Sequence, residues 1–243
     1  MTAIKTHALT KRFGDILAVD DLELSIPEGE TFALLGVNGA GKTTAIKMLS
    51  CLIRPTSGGA EIMGHSICDE SLAVKELINV SPQETAVAPN LSVRENLELI
   101  CALYGHDKTQ RKTLVQETID KFNLGEVASR RASTLSGGWM RRLSIAMALI
   151  TDPKILFLDE PTLGLDVLAR RELWEFIESL KGKMTVILTT HYLEEAEALS
   201  DRIGIMVAGR LVALGSADEL KAQSGKDNFE DAFVALCKGG GAK

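Results

Sequence analysis

The stretch GVNGAGKTT, Gly36 to Thr44, constrains the fold more than any other part of this 243-residue chain. It fits the spacing G-x-x-x-x-G-K-[ST], in which glycines let successive backbone N–H groups turn inward on phosphate oxygens. Such a loop needs a strand before it and a helix after it. The apolar run Thr31 to Leu35 supplies the strand, and Ile46, Leu49 and Ile53 at helical spacing predict a helix over Lys42 to Ile53. In that setting Asn38, Gly39, Ala40, Gly41 and Thr44 are candidate phosphate contacts. Lys42 reaches the β and γ phosphates, the Thr43 hydroxyl sits on Mg²⁺, and the helix N-terminus adds its positive dipole end. Ordinary residue frequencies would produce this spacing by chance in roughly one chain in a hundred of this length.

A second stretch, Ile155 to Glu160 (ILFLDE), reads as a buried strand that delivers Asp159 to the edge of a sheet, where a carboxylate would hold Mg²⁺. Glu160, beside it, is placed to polarise an attacking water as a general base, which favours hydrolysis over phosphoryl transfer to another substrate. Taken alone, the pair could be two solvated acids at a strand end. The phosphate loop on the same chain removes most of the weight from that alternative.

Buried strands alternate with helices after about residue 152. KILFLDE, MTVILTT and RIGIMVAG read as strands, and VLARRELWEFIESL and YLEEAEALS as helices, the pattern of a largely parallel, covered sheet. The first part differs, with short β-type segments around Ile4 to Leu9 and Leu17 to Ile26. From Val93 to Arg131 the chain reads as mostly helical, like a lobe inserted into an α/β core. The terminal GGGAK reads as a frayed tail.

Composition excludes several classes. At 45% hydrophobic residues the chain can bury a substantial core, and a net charge of -6 argues against a general polyanion-binding surface, so nucleic acid is not the expected partner. The four cysteines (Cys51, Cys68, Cys101, Cys237) have no C-x-x-C spacing, which fits a reduced chain without a disulfide frame or structural metal. The N-terminus lacks the apolar region of a leader, and no run approaches the roughly 18 apolar residues that span a bilayer, so any membrane role is expected to pass through a partner.

A third stretch, Leu135 to Gly138 (LSGG), stands before an apolar helix marked by Leu143, Ala146 and Ile150. Alone it is best read as a helix N-cap at Ser136. In combination with the two stretches above, the chain resembles the ATP-binding subunits of ATP-binding-cassette transporters over about Ile4 to Leu236. The resemblance implies a P-loop NTPase α/β core with a mostly parallel sheet, an N-terminal antiparallel β subdomain and an inserted helical subdomain. The expected division is core and β subdomain at about 1–83 and 152–225, helical subdomain at 84–151, and helical tail at 226–243. It also implies that two subunits pair head to tail, each offering Ser136, Gly137 and Gly138 to the ATP held by the other's phosphate loop. Trp139 departs from the commonest signature, which continues with Gln; the backbone donors do not depend on that side chain.

The remaining site residues come from the same resemblance. Phe13, in KRFG, matches the aromatic that stacks on adenine, with core packing as an equal alternative. Gln83, in VSPQET, matches the glutamine that joins core to helical lobe and reaches Mg²⁺ or water. Asp166, in PTLGLD, matches the loop that crosses the dimer interface, although Leu163 replaces the commoner Ser. His191, after TVILTT, matches the switch histidine on the γ-phosphate.

The implied activity is Mg²⁺-dependent ATP hydrolysis that closes and reopens a homodimer, coupled to transmembrane permease subunits at the cytoplasmic face of the cell membrane, without cargo contact. The end of the chain, with Phe229, Phe233 and Leu236, resembles the short tails of exporters for drugs, sodium or polysaccharide, and equally fits an amphipathic packing helix. A soluble cassette ATPase of the iron-sulfur assembly kind would keep every motif. A nucleic-acid cassette would need tandem cassettes, a long coiled-coil insertion or a basic surface, and a P-loop kinase would lack LSGG, Glu160 and His191 in these roles.

Overall fold

The continuous apolar runs become strands covered on both faces. In the computed structural model, which describes residues 1–240, β4 (Thr31–Leu35), β8 (Ile155–Asp159) and β9 (Thr185–Thr190) are buried along their whole length. Together with β7 (Ile78–Ser81), β10 (Arg202–Val207) and β11 (Arg210–Gly215) they form a six-stranded sheet in the order β11-β10-β4-β9-β8-β7. Every pair is parallel except the edge pair β10–β11.

Alternation along each strand divides the interior into two layers. Phe32, Leu34, Ile155, Phe157 and Ile187 face a core shared with α1 (Lys42–Leu49) and the N-terminal sheet. Ala33, Leu35, Leu156, Leu158, Val186 and Leu188 face the second core, which includes the helical lobe. The period of two places successive residues on opposite faces, so one apolar run serves both layers.

The N-terminal sheet is antiparallel, as expected. Strands β1 (Thr2–Phe13), β2 (Ile16–Leu22), β5 (Ser57–Ile62) and β6 (His65–Ser66) run in the order β2-β1-β5-β6, with β3 (Ser25–Pro27) also on β1. The segment expected from Leu17 to Ile26 is thus two strands. The helix expected to reach Ile53 ends at Leu49, where Ser50 caps it and Cys51 turns into the left-handed region at φ 57.

Helix α2 (Ser71–Leu77) leads into β7, and the helical lobe follows as α3 (Val93–Leu103), α4 (Lys108–Lys121) and α5 (Gly137–Leu149). Two capping boxes start its first helices. Ser92 and Glu95 bond reciprocally at α3, and Asp107 and Gln110 at α4, each worth about 1 kcal/mol over an uncapped end.

Helices α6 (Val167–Glu178) and α7 (Leu193–Leu199) connect the later strands. The chain ends in α8 (Ala217–Ser224) and α9 (Phe229–Gly240), where Phe229 is buried and Phe233 and Leu236 pack on the same core. Gly239 and Gly240 continue α9 rather than fraying, and the rest of the expected tail lies outside the described residues.

Candidate active site

Parallel pairing brings the C-terminal ends of β4, β8 and β9 side by side. Leu35 lies opposite Thr190, and Asp159 opposite Thr189, so the phosphate loop, the two acids and His191 leave one edge of the sheet together. Crevices at such edges are where open α/β sheets bind ligands.

The loop after β4 has a shape only glycine permits. Gly41 has φ +102, and a Cβ there would stand 2.3 Å from the Ala18 carbonyl oxygen. Strand β2 therefore packs directly on the loop and fixes where α1 begins. Lys42 Nζ folds back to donate to the Gly36 carbonyl at 2.7 Å, which keeps its charge over the loop.

Asp159 and Glu160 are adjacent in sequence but face different partners. Asp159 Oδ1 accepts from Thr43 Oγ1 at 3.0 Å and from Thr189 Oγ1 at 2.6 Å. Glu160 sits in the left-handed region at φ 49, with its N–H donating to the carbonyl (3.2 Å) and hydroxyl (3.0 Å) of Thr189. That turn aims its buried carboxylate at the loop. Oε1 pairs with Lys42 Nζ at 3.4 Å, and Oε2 accepts from His191 Nδ1 at 2.7 Å. A cavity of 540 Å³ opens here, bounded by Asn38 to Thr44, Gln83, Glu160, Leu163 and His191, with Ile16 to Ala18 as an apolar wall.

An anion-ready helix end, a buried lysine, a hydroxyl-bonded aspartate and a glutamate held by histidine suit one task, cleavage of a phosphoanhydride by water. The comparisons agree. Residues 19–163 match the family profile described as ABC transporter. The chain belongs to the ABC transporter family. It is 44% identical over 230 residues to the daunorubicin resistance ATP-binding protein DrrA3 of Streptomyces coeruleorubidus, covering 94% of this chain and 73% of the relative. It is 40% identical over 241 residues to the probable multidrug ABC transporter ATP-binding protein YbhF of Escherichia coli K12, covering 97% of this chain and 42% of the relative. Among solved structures, an ATP-binding subunit of an ABC transporter superposes with a TM-score of 0.85 at 28% identity, covering 97% and 99% of the two chains. A dimeric post-hydrolysis structure of the ATP-binding cassette MJ0796 with ADP and phosphate superposes at 0.79 with 27% identity, covering 88% of this chain and 98% of that one.

This ABC ATPase keeps its LSGG turn apart from its own phosphate loop. Ser136 stands at the N-cap of α5 without a side-chain capping bond, and with Gly138 and Trp139 it lines a separate groove against α6. Trp139 packs there beneath Arg142, whose guanidinium lies 5.0 Å from its ring and pairs with Glu172 at 2.6 Å. Asp166 caps α6, accepting from the N–H groups of Leu168 (3.0 Å) and Ala169 (2.9 Å). Phe13 is 49% exposed at the β1–β2 turn, opposite Ile16 in register, so it belongs to neither core.

The donor set suits Mg²⁺. Thr43, Asp159 and Gln83 offer hard oxygens, and among the described residues no cluster of three or more His, Cys, Asp or Glu could hold a metal. An ion here would be shared between one carboxylate, a hydroxyl and the phosphates, as Mg²⁺ prefers.

Three residues escaped the motif reading. Thr189 orients Asp159 and the Glu160 backbone, and only strand register reveals it. Arg141 is a buried cation on α5, one helical turn before Ile145 on the apolar face, and that interruption was its signal. Glu195 on α7 is fully buried and accepts from the Trp174 indole N–H at 3.2 Å.

Proposed function

We propose that this ABC ATPase powers a drug-type exporter, working as a head-to-tail homodimer against a separate membrane permease at the cytoplasmic face of the cell membrane. Its relatives are drug-resistance and multidrug ATP-binding proteins by name, which supports the cargo class. Among the described residues no helix is long and apolar enough to cross a membrane, which supports a permease as the route to the bilayer. The whole chain acts as one cassette, with core and β subdomain at about 1–83 and 152–225, the helical lobe at about 84–151 and a tail from 226.

In this reading the phosphate loop, Asn38 to Thr44, binds ATP through its backbone N–H groups and Lys42, while Phe13 stacks on adenine. Thr43, Asp159 and Gln83 would hold Mg²⁺, which would supply charge neutralisation at the phosphates. Glu160 takes a proton from water as the water oxygen attacks the γ-phosphorus and the bond to the bridging oxygen breaks, giving ADP and phosphate. To donate from Nδ1 to Glu160 and from Nε2 to the γ-phosphate at once, His191 carries both ring protons in this arrangement. Ser136, Gly137 and Gly138 of one subunit close over the ATP of the other, and Asp166 sits in the loop between them. A two-fold dimer makes each contact twice, so both sites are completed together. Loss of γ-phosphate contacts after hydrolysis releases the dimer.

The observation that carries the reading is the buried Lys42–Glu160 pair with the half-buried His191 beside it, at contacts of 3.4 and 2.7 Å next to the phosphate loop. The test is copurification of the tagged Glu160→Gln chain from detergent-solubilised membranes and from cytosol, with partners identified by mass spectrometry. A stoichiometric multi-span partner is expected. A soluble partner, with nothing from membranes, would move the chain to the soluble cassette ATPases.

A further inference from the structure

Helix α5 carries the LSGG turn at its start and a buried cation one turn later. Arg141 is 5% exposed, and its guanidinium is spent on backbone carbonyls. Nη2 donates to Asp159 O at 2.6 Å and Nε to Pro161 O at 2.8 Å, while Nη1 donates to Pro82 O at 2.5 Å and to Gln83 O at 3.4 Å. Two of these carbonyls flank Glu160, and the other two lie in the Gln83 loop.

Burial lowers the Arg141 pKa to about 10, against the pull of Asp159, Glu195 and Glu160, so the group stays cationic at neutral pH. Burying a charge without a hydrogen-bonded carboxylate is expensive, and only the rigid fork of an arginine joins several acceptors in one fixed geometry. The Glu160 backbone, at φ 49, is a conformation that persists only where its surroundings over-determine it. Arg141 holds the peptide oxygens on either side of it.

We propose that Arg141 is a positioning residue that locks the backbone around Glu160 and the Gln83 loop to the helix beginning at LSGG, so that movement of the helical lobe reaches the water-activating carboxylate as one rigid displacement. The proposal rests on the reading of Glu160 as general base. It differs from the family's motif roles because Arg141 touches neither nucleotide nor partner in that scheme. Its work is to make closure at one site and alignment of the base in the same chain a single event.

The test uses the full chain as Arg141→Lys and Arg141→Met, each also combined with Glu160→Gln. Three quantities are measured: ATP turnover, monomer affinity for trinitrophenyl-ATP, and the ATP concentration that half-dimerises the Glu160→Gln forms. Turnover is expected to fall tenfold or more and half-dimerisation to need tenfold or more ATP, while monomer affinity stays within threefold because the phosphate loop is untouched. Arg141→Met combined with Glu160→Gln should turn over no more slowly than Glu160→Gln alone. Melting temperature reports whether each variant folds. If Arg141→Met does not, Arg141→Lys decides, since it keeps the charge and the buried stem. Wild-type turnover and dimerisation in Arg141→Lys would overturn the proposal, as would independent, multiplicative losses in the double variant. Wild-type turnover in Glu160→Gln alone would instead remove the base assignment, and the dimerisation shift would then judge the clamp by itself.

Discussion

His191 Nδ1 stands 2.7 Å from Glu160 Oε2, so Nδ1 is the donor when the carboxylate is ionised, and the ring lines the cavity beside the phosphate loop. The carboxylate orients the ring, and the ring holds the carboxylate over the loop. Truncation of either therefore disturbs the other. His191→Ala is expected to lower the turnover rate on the order of 10²-fold, since a positioned proton-handling group contributes about that much or more. Monomer affinity for ATP should change little, because the phosphate loop and its lysine remain. A raised KM with unchanged kcat would assign His191 to ground-state binding instead.

Glu160→Gln keeps the size of the side chain and an oxygen for the His191 N–H, but it cannot take a proton from water. Turnover should drop about 10²- to 10⁴-fold. ATP should then trap the chain as a dimer, visible by size-exclusion chromatography with ATP and absent with ADP. Unchanged turnover would sink the assigned base.

The head-to-tail arrangement makes a prediction that no single variant can. A Cβ added at Gly137 meets only Leu165 Cδ2, at 3.8 Å, so Gly137→Asp should fold. The new carboxylate sits in the first turn of α5, which favours the helix but repels a phosphate brought there by a partner. Lys42→Ala disables the other half-site. Neither variant should dimerise with ATP alone, yet an equimolar mixture should form heterodimers, because one composite site in each is then intact. Mixing experiments with two fluorescent labels would read this directly, with Glu160→Gln added to both variants so that hydrolysis does not release the dimer. Failure of the mixture while the Glu160→Gln chain dimerises would count against the shared site.

What could be read in advance follows from which interactions are local. The strands Thr31–Leu35, Ile155–Asp159 and Thr185–Thr190 stand out because burial on both faces demands continuous apolar residues. The phosphate loop is legible because its geometry is set by glycines at fixed spacing. Strand β5 starts with Ser57, Gly58 and Gly59 and shows no alternation until it has begun, so it left no mark. Thr189 is assigned by register with Asp159, 30 residues away, and register is not written in either segment alone. Arg141 and Arg142 are adjacent, and the sequence alone does not say which of them turns inward. Arg142 faces outward to Glu172, whereas Arg141 turns inward, a difference of about 100° around one helix.

Glu195 gives a prediction about stability and pH. Burial pushes its carboxyl above the ordinary value of 4.5, the bond from the Trp174 indole N–H offsets part of this, and the charge of Glu160 adds to it. An acid with a raised pKa in the folded state binds more protons folded than unfolded between the two values. Stability from this group is therefore full below about 4.5 and declines as pH rises toward the folded value. Glu195→Gln keeps the shape and removes the titration. The variant should gain on the wild-type chain as pH rises from 5 to 8, measured as the difference between their urea midpoints at each pH. A difference that stays flat or shrinks over that range would mean that Glu195 is stably ionised within the fold.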